Sequence, residues 1–530
     1  MSARPPISAP GGNAGRARGA AAGSHLVVVG GGVAGLGTAL AAARAGHRVT
    51  ILERDATPMP ASADLAFEWD RRGAPQVRHS HAFLARLRNL LVERAPDVYD
   101  ALLDAGATEL RFTDDLPPTL TDREPRPGDE RLCAIACRRT TFEWVLRRAV
   151  LAIAGVEFRD GVAVDGLIAE RGRSNAIVNV VGVHGRAVSG GDSATAAATE
   201  TGRPFEMAAD LVVDATGPRT ASPGWLTDIG VDEPAELLVP SEIIYLSRFY
   251  RLRDGFEAPE ASGPIGGDLG YLKYAVFVGD SRTFSITFAI DTDDRAMRAL
   301  TEVEGFEAAA AQLVAAQPWL DGRSEPITGV HPMAGLRNRR RYFVRDGEPI
   351  VTGFVAVGDA SVCTNPLYGR GCSLALVHAF GLADLLDRTP RALALDFAEF
   401  TEREIDPWFR AAVQQDREAR ELLDPAPSGP GAAPSGSGAA PSGSGPAAAG
   451  DVDPKQLLRD VFREGLLPAV RTSPIVYRAF LRWFNLESTP DALMTDGEVI
   501  AAVMQSYAER GARPPEPALG PGRAEFLAAL

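Results

Sequence analysis

Three glycines at positions 30, 32 and 35, followed by an acid at 53, have the types and spacing that a dinucleotide requires. Gly30 allows the chain to turn, Gly32 leaves room for backbone to approach a pyrophosphate, and Gly35 lets a helix close on a strand. The helix opening there offers free N–H groups and a positive dipole end to phosphate. Glu53, with Arg54 beside it, falls roughly 20 residues on, where an acceptor meets the adenosine ribose. An acid rather than arginine at that place argues for NAD or FAD over NADP.

A second set of residues stands more than 300 positions later. Gly358-Asp359-Ala360 ends an apolar run, and Asn365-Pro366-Leu367-Tyr368-Gly369-Arg370-Gly371-Cys372 opens a long apolar helix. A strand delivering an aspartate, then a Pro- and Gly-rich loop, then a helix N-terminus makes a second polyol and anion site. NAD has no use for one. FAD does, because its ribitol hydroxyls and reducible ring lie far from the adenosine. Asp359 is expected to bind the ribitol, and N–H groups near Gly369, Gly371 and Cys372 to stabilise negative charge on the reduced ring. Two further groups carry chemical potential. Arg78, His79 and His81 stand at the mouth of a helix, where they would line a ligand site or simply bond locally. Arg138 and Arg139 lie at the start of another helix, against its dipole, which hints at an anionic partner such as a phosphate.

The elements that must position these groups are legible in outline. Leu26–Val29 is a short apolar run of the kind that makes a buried parallel strand, and Arg48–Leu52 a second. Helical periodicity runs through Phe83, Leu84, Leu87, Leu90 and Leu91, and from Phe142 to about Ile153. Strands are expected at Leu132–Ala136, Val156–Phe158, Val162–Ile168, Ala176–Val183, Phe205–Val213 and Val351–Val357. Ile243–Leu252, Tyr271–Phe277 and Thr283–Ile290 are longer and aromatic-rich, and read as a separate antiparallel sheet suited to covering a ligand cavity. Its Tyr245, Phe249, Tyr250, Tyr271, Tyr274 and Phe277 suggest an apolar, polycyclic or polyene ligand. Gly263–Gly270 and the Gly/Ser/Ala-rich Arg186–Thr201 read as loops, Asp293–Leu300 and Phe306–Ala316 as helices, and the basic run Arg337–Arg341 as a solvated strand edge. The expected class is α/β (α+β overall), with a Rossmann-like FAD domain of glutathione-reductase type, an antiparallel substrate sheet and a helical C-terminal region. The expected divisions are a disordered tail at 1–24, a discontinuous FAD-binding domain at 25–235 and 325–390, and a substrate sheet domain at 236–324. A helical stretch at 391–424, a low-complexity linker at 425–450 and C-terminal helices at 451–530 follow.

Composition narrows the function classes. At 530 residues the chain has room for two or three domains. A net charge of −14 argues against a nucleic-acid partner. Cys133, Cys137, Cys363 and Cys372 are not spaced as metal ligands, so no metal site is expected and a reduced, cytoplasmic protein with buried thiols fits best. No apolar run reaches the ~18 residues of a membrane helix.

With these motifs in place the chain resembles the flavoprotein monooxygenases of the para-hydroxybenzoate hydroxylase fold (group A), nearest to bacterial epoxidases and hydroxylases of secondary metabolism. The likeness spans Leu26 to Asp387 and rests on the glycine turn with Glu53, the segment Pro75-Gln76 to His81, Cys137 to Leu146, Asp214 to Gly217, and Gly358 to Gly371. It implies that Arg139 contacts FAD, that Val164 meets the adenine through its backbone, and that Asp359 binds ribitol. Pro366, Gly369 and Gly371 would border the ring, with Arg78 and His79 near the ring or its substrate. Arg370 and Cys372 occupy loop positions often filled by other residues in that family. The implied reaction is reduction of FAD by NAD(P)H, capture of O2 as a flavin C4a-hydroperoxide, and oxygen transfer to a small apolar substrate. His79 or Tyr368 would serve as base if a phenol were hydroxylated. No second glycine fingerprint is present, so NAD(P)H would bind transiently or a separate flavin reductase would deliver reduced flavin. The oligomeric state expected is monomer or homodimer. A reductase or desaturase of isoprenoid chains is the alternative on the same fold. A halogenase would need a lysine between the glycine turn and the substrate sheet, and there is none before Lys273. A non-catalytic flavin-binding protein is the remaining alternative.

Overall fold

The computed structural model describes residues 23–114, 116–120, 122–171, 177–188, 202–259, 265–423, 457, 460–513 and 518–530. The tail before residue 23, the 425–450 linker and most of the Arg186–Thr201 loop lie outside them. A five-stranded parallel sheet forms the centre, in the order Phe354–Ala356, Leu211–Asp214, His25–Val29, Arg48–Leu52, Val156–Arg159. The first four are largely apolar because the sheet is covered on both faces, while the edge strand Val156–Arg159 exposes Glu157 and Arg159. One face is packed by the helices Val33–Arg44, Arg139–Leu151 and Gly371–Ala383. The other lies under an antiparallel layer of Val162–Glu170, Asn179–Ala187 and Pro204–Ala208.

The continuous strand expected over Phe205–Val213 is two strands in two different sheets. The break comes at Asp210, whose carboxylate accepts from the His25 N–H at 2.7 Å and whose own N–H donates to the His25 carbonyl at 2.9 Å. That pair anchors the start of the central strand.

The second large sheet is antiparallel, in the order Gly266–Asp268, Lys273–Val278, Thr283–Asp291, Ile243–Leu252, Ser324–Pro326, with His331–Met333 also paired to Ile243–Leu252. The glycine stretch expected as pure loop thus contributes an edge strand at Gly266–Asp268. Behind this sheet the helix Val303–Ala310 and Phe526 of the C-terminal helix Arg523–Ala528 complete a second apolar core. The helix expected over Phe306–Ala316 therefore starts earlier and ends at Ala310, and Asp293–Leu300 forms a 3-10 turn at Arg295–Thr301.

The basic run is not a solvated edge. Arg337–Tyr342 is the middle strand of a three-stranded sheet between Ala235–Pro240 and Val362–Cys363. Arg340 and Arg341 are each 3 % exposed and face Asp406 at 2.7 Å and Glu236 at 3.0 Å. Charge alone could not reveal this, because the acids that neutralise the run come from distant segments. The C-terminal helices Leu467–Thr472, Pro474–Phe484 and Gly497–Ala508 share their own core and pack back on the body. Arg478 donates to the buried Asp129 at 2.8 Å, and Asn485 Oδ1 accepts from the Ala85 N–H at 3.0 Å. Among the described residues no helix is long and apolar enough to cross a membrane.

The parallel-sheet part and the antiparallel sheet are tied by one buried ion pair. Arg138 Nη2 lies 2.5 Å from Asp280 Oδ2, the side chains being 2 % and 0 % exposed. Asp280 also accepts from the Arg138 backbone N–H at 2.7 Å and the Thr141 hydroxyl at 2.8 Å. Removing the acid strands the guanidinium in the interior. Asp280→Ala is therefore expected to lower unfolding free energy by about 3–5 kcal/mol, read from urea melts.

Candidate cofactor and active site

The glycine turn has the geometry its sequence suggested. Gly30 has φ +104°, and a Cβ there would lie 2.6 Å from the Ala215 carbonyl oxygen. A Cβ on Gly35 would lie 1.9 Å from the Gly30 oxygen, so helix and turn meet only because both are glycine. Gly32 caps the helix Val33–Arg44, no side chain caps its first turn, and nothing stands within 4 Å of where its Cβ would be. The Gly30 and Gly31 N–H groups are held by the Leu52 carbonyl and Glu53, so the uncapped first turn of the helix beside the open Gly32 is what could meet a phosphate.

Glu53 is buried, accepting from the Gly31 N–H and the Asp55 N–H at 2.8 Å each. Each carboxylate oxygen keeps lone-pair capacity for a hydroxyl. Arg54 is exposed and has no bonded partner among the described residues. Val164 lies at a bulge in the strand Val162–Glu170, and that strand begins with the Val162 N–H on the Glu53 carbonyl.

Beneath the turn lies a charged group that motif reading missed. Arg71 binds Asp55 at 2.7 Å and Glu143 at 2.6 Å, with Glu53 at 3.6 Å. Arg139 meets the other oxygen of Glu143 at 2.6 Å. Arg147 stacks on Phe158, its guanidinium 4.0 Å from the ring centroid. The Arg139-Glu143-Arg147 spacing, four residues apart on one helix, was the available signal. Of the two arginines expected to seek a phosphate, Arg138 instead holds Asp280, which itself sits on the N-terminus of the helix Arg139–Leu151. Arg139 remains beside Asp359 and Cys372, both of which feel its charge.

The Gly358–Asp359 turn is set by a histidine that sequence reading did not single out. His378 is fully buried and stacked on Phe397. Its Nδ1 accepts from the Gly358 N–H at 3.2 Å, so its Nε2–H faces the Thr401 hydroxyl at 2.9 Å. Burial depresses its pKa to about 3, keeping the ring neutral in that tautomer. The signal was a lone histidine in an otherwise apolar helix. Asp359 accepts no hydrogen bond among the described residues, and burial pushes its pKa up to about 6. An unsatisfied carboxylate at this place fits a hydroxyl-bearing ligand. Gly369 has φ +64° and packs on Ala82, while nothing lies within 4 Å of a Cβ on Gly371. An uncapped helix start at the glycine turn, a free acid and the open space at Gly371 together suit FAD. Pro366, in a 3-10 turn capped by Asn365, and Cys372, whose thiol burial holds above its usual pKa, complete that loop.

The third site feature is a narrow cleft between His79–His81, Arg139 and the antiparallel sheet, lined on the sheet side by Phe249 and Phe277. Strand register puts Tyr245, Ser247 and Phe249 on one face with Ala289, Thr287, Ser285 and with Lys273, Ala275, Phe277. Tyr250 and Tyr274 point the other way, into the second core, and Tyr271 bonds the Pro521 carbonyl. Half of the expected aromatic lining is therefore core, and alternation along each strand is the reason.

What replaces it is a hydroxyl chain. His79 Nδ1 lies 3.1 Å from Ser247 Oγ, Ser247 lies 2.9 Å from Thr287 Oγ1, and Ser80 Oγ lies 2.6 Å from both Thr287 and Ser285. Burial lowers the His79 pKa to about 4, and His81, donating from Nδ1 to the His79 carbonyl, falls to about 3. Arg78 is exposed on Asp70 at 3.0 Å and does not line this cleft. Tyr368 lies under the Arg370 guanidinium, 4.6 Å from ring centroid to Cζ.

The chain matches a protein of Mycobacterium tuberculosis, Protein Rv3254, with 30% identity over 397 residues, 71% of this chain and 75% of that one. It belongs to the same family. Residues 11–68 match the Pyridine nucleotide-disulphide oxidoreductase family. Similar solved structures include the p-nitrophenol 4-monooxygenase PnpA from Pseudomonas putida (TM-score 0.53, 15% identity, 88% of this chain and 98% of that one). Another is the flavin-dependent brominase Bmp2 (TM-score 0.51, 14% identity, 76% and 91%). This chain thus has a fold that this monooxygenase and this flavin-dependent brominase share.

Asp359 yields a pH test with a definite sign. Its pKa rises from 3.8 to about 6 on folding, so the stability it contributes is present below the unfolded pKa and is lost as pH rises through about 6. Apoprotein carrying Asp359→Asn is expected to lack that fall between about pH 4 and 6 and to melt above the parent at pH 7. Asp359→Ala is expected to weaken FAD binding by about tenfold or more, followed by flavin fluorescence, since a charged acceptor is lost.

Proposed function

We propose that the protein is an FAD-dependent monooxygenase that uses NAD(P)H and O2 to hydroxylate or epoxidise a small, largely apolar substrate. The observation that carries this reading is the convergence of three features. The Gly30–Glu53 turn, the Asp359 to Gly371 loop and the hydroxyl-lined cleft lie on neighbouring elements, joined through the contact of the helices Val33–Arg44 and Gly371–Ala383. That contact is close enough that a Cβ on Gly37 would meet Leu376 at 2.5 Å. Gly30–Gly35 and Glu53 would hold the adenosine and pyrophosphate, with Val164 against the adenine. Arg139 and Asp359 would hold the middle of the cofactor, and Pro366, Gly369, Gly371 and Cys372 its ring. Bound there, FAD supplies hydride acceptance and oxygen activation.

The chain's own residues shape the remainder. Phe249 and Phe277 offer apolar contact, while Ser247, Thr287 and Ser285 offer hydrogen bonds to one polar group of the substrate. His79, neutral and with its pKa down at about 4, is a weak base and a good hydrogen-bond acceptor. That favours epoxidation, which needs no strong base, over hydroxylation that begins by ionising a phenol. The hydroxyl chain gives His79 one orientation through Ser247. Electrons would come from NAD(P)H bound transiently, or from a separate flavin reductase.

A reductase or desaturase acting on isoprenoid-like chains would use the same cofactor residues. Halogenation is the weaker reading. The likeness to Bmp2 is one of fold, and the lysines of this chain are Lys273, paired with Asp268 at 3.1 Å, and Lys455. The purified protein loaded with FAD, given NAD(P)H and a panel of polyene and polycyclic phenolic compounds, separates these outcomes. The expected result is O2-dependent NAD(P)H oxidation with a product heavier by one oxygen atom. A product changed only by two hydrogens assigns the reductase or desaturase, and halide-dependent halogen incorporation assigns the halogenase.

A further inference from the structure

Arg370 is among the largest fully buried side chains, at 1 % exposure, and immediately precedes the helix Gly371–Ala383. Its guanidinium stands over three rings: Tyr368 at 4.6 Å, Trp408 at 5.1 Å and Trp483 at 5.8 Å. These rings come from the cofactor loop, the helix Asp406–Leu423 and the helix Pro474–Phe484. Nη1 has one bond, to Gln415 Oε1 at 3.3 Å, and Nε and Nη2 have none. Asp416, the acid whose charge reaches it, gives its oxygens to the side-chain amides of Asn365 and Asn338, each at 2.7 Å. Arg71, Arg138, Arg139 and Arg478 each have a carboxylate at 2.5–2.8 Å. Arg370 has no ion pair among the described residues.

Two electrostatic penalties therefore fall on one side chain. A cation with no carboxylate bonded to it is held in an apolar cage, and it stands at the positive end of a helix. Both would be relieved by a negative charge arriving from outside the chain near Gly371, where nothing stands within 4 Å of a Cβ position. The aromatic rings keep the guanidinium in place without neutralising it, since cation–π attraction leaves the charge intact.

We propose that Arg370 holds a positive charge with no bonded carboxylate behind the cofactor loop, balanced when FAD at Gly369–Gly371 takes on negative charge. This rests on the FAD reading of the site and makes Arg370 an electrostatic positioning residue. It adds to the helix dipole and biases the site toward anionic reduced flavin. Because Trp483 belongs to the C-terminal helices, that region helps set the electrostatics of the cofactor.

Sulfite, an anion that adds reversibly to oxidised flavin and bleaches it, reads this charge without turnover. In the full-length protein loaded with FAD, R370M and R370Q are expected to raise the sulfite Kd by about tenfold or more. R370K, compared with the parent at about pH 6 where the buried ammonium stays protonated, is expected to stay within about threefold of it. Sulfite affinity unchanged in a neutral variant that retains FAD overturns the proposal. So does an equal loss in R370K, which would make the role one of packing. R370Q, which keeps hydrogen-bonding capacity for the cage, stands in if R370M does not fold. A parent protein that takes up no FAD would instead overturn the cofactor assignment itself.

Discussion

Glu143 is the charge around which the cofactor half of the molecule closes. Its carboxylate has no exposed surface, and a buried carboxylate without partners would cost several kcal/mol. Arg71 takes one oxygen and Arg139 the other. Arg71 then reaches Asp55 and stands beside Glu53, so the loop after the second strand is drawn onto the helix Arg139–Leu151. Glu53, the arginine whose charge Asp359 feels and the end of the central sheet are thus coupled through a single side chain. The Arg71 bonds to Glu143 and Asp55 are charge-assisted and shielded from water, which strengthens them.

The cleft depends on a comparable device at the other side. Asp280, from the antiparallel sheet, sits at the N-terminus of that same helix and is neutralised there by Arg138. With the sheet docked in this way, its hydroxyl face meets His79 and Ser80, and the chain of Ser247, Thr287 and Ser285 forms. One helix therefore organises both halves: its interior glutamate the cofactor loops, its first turn the sheet that faces them. Arg370 stands apart from this pattern of paired charges, and its isolation is what gives it electrostatic influence.

Much of the fold was legible in linear patterns. The short apolar strands, the glycine spacing and the Asp359 turn are local features, set by steric needs that only certain residues meet. Strand length and aromatic content marked the antiparallel sheet. What misled were features whose meaning depends on distant partners. The run Arg337–Arg341 looks like surface until Asp406 and Glu236 are brought to it. Tyr250 and Tyr274 look like cavity lining until the register turns them into the core. Arg138 suggested a phosphate because Asp280 lies far along the chain.

By itself the sequence determined the glycine turn, the Gly358–Asp359 turn and the class of fold, because glycine conformation and apolar periodicity act over a few residues. Only the tertiary structure decided which charges are paired, which strand face meets the cofactor side, and that His378 fixes the Gly358 turn. The physical reason is that burial and ion pairing are properties of neighbourhoods. Residues such as Glu143 and Arg71, or Arg138 and Asp280, are separated widely along the chain and meet only when it folds. Local grammar set where a cofactor can lie, and long-range electrostatics set what surrounds it.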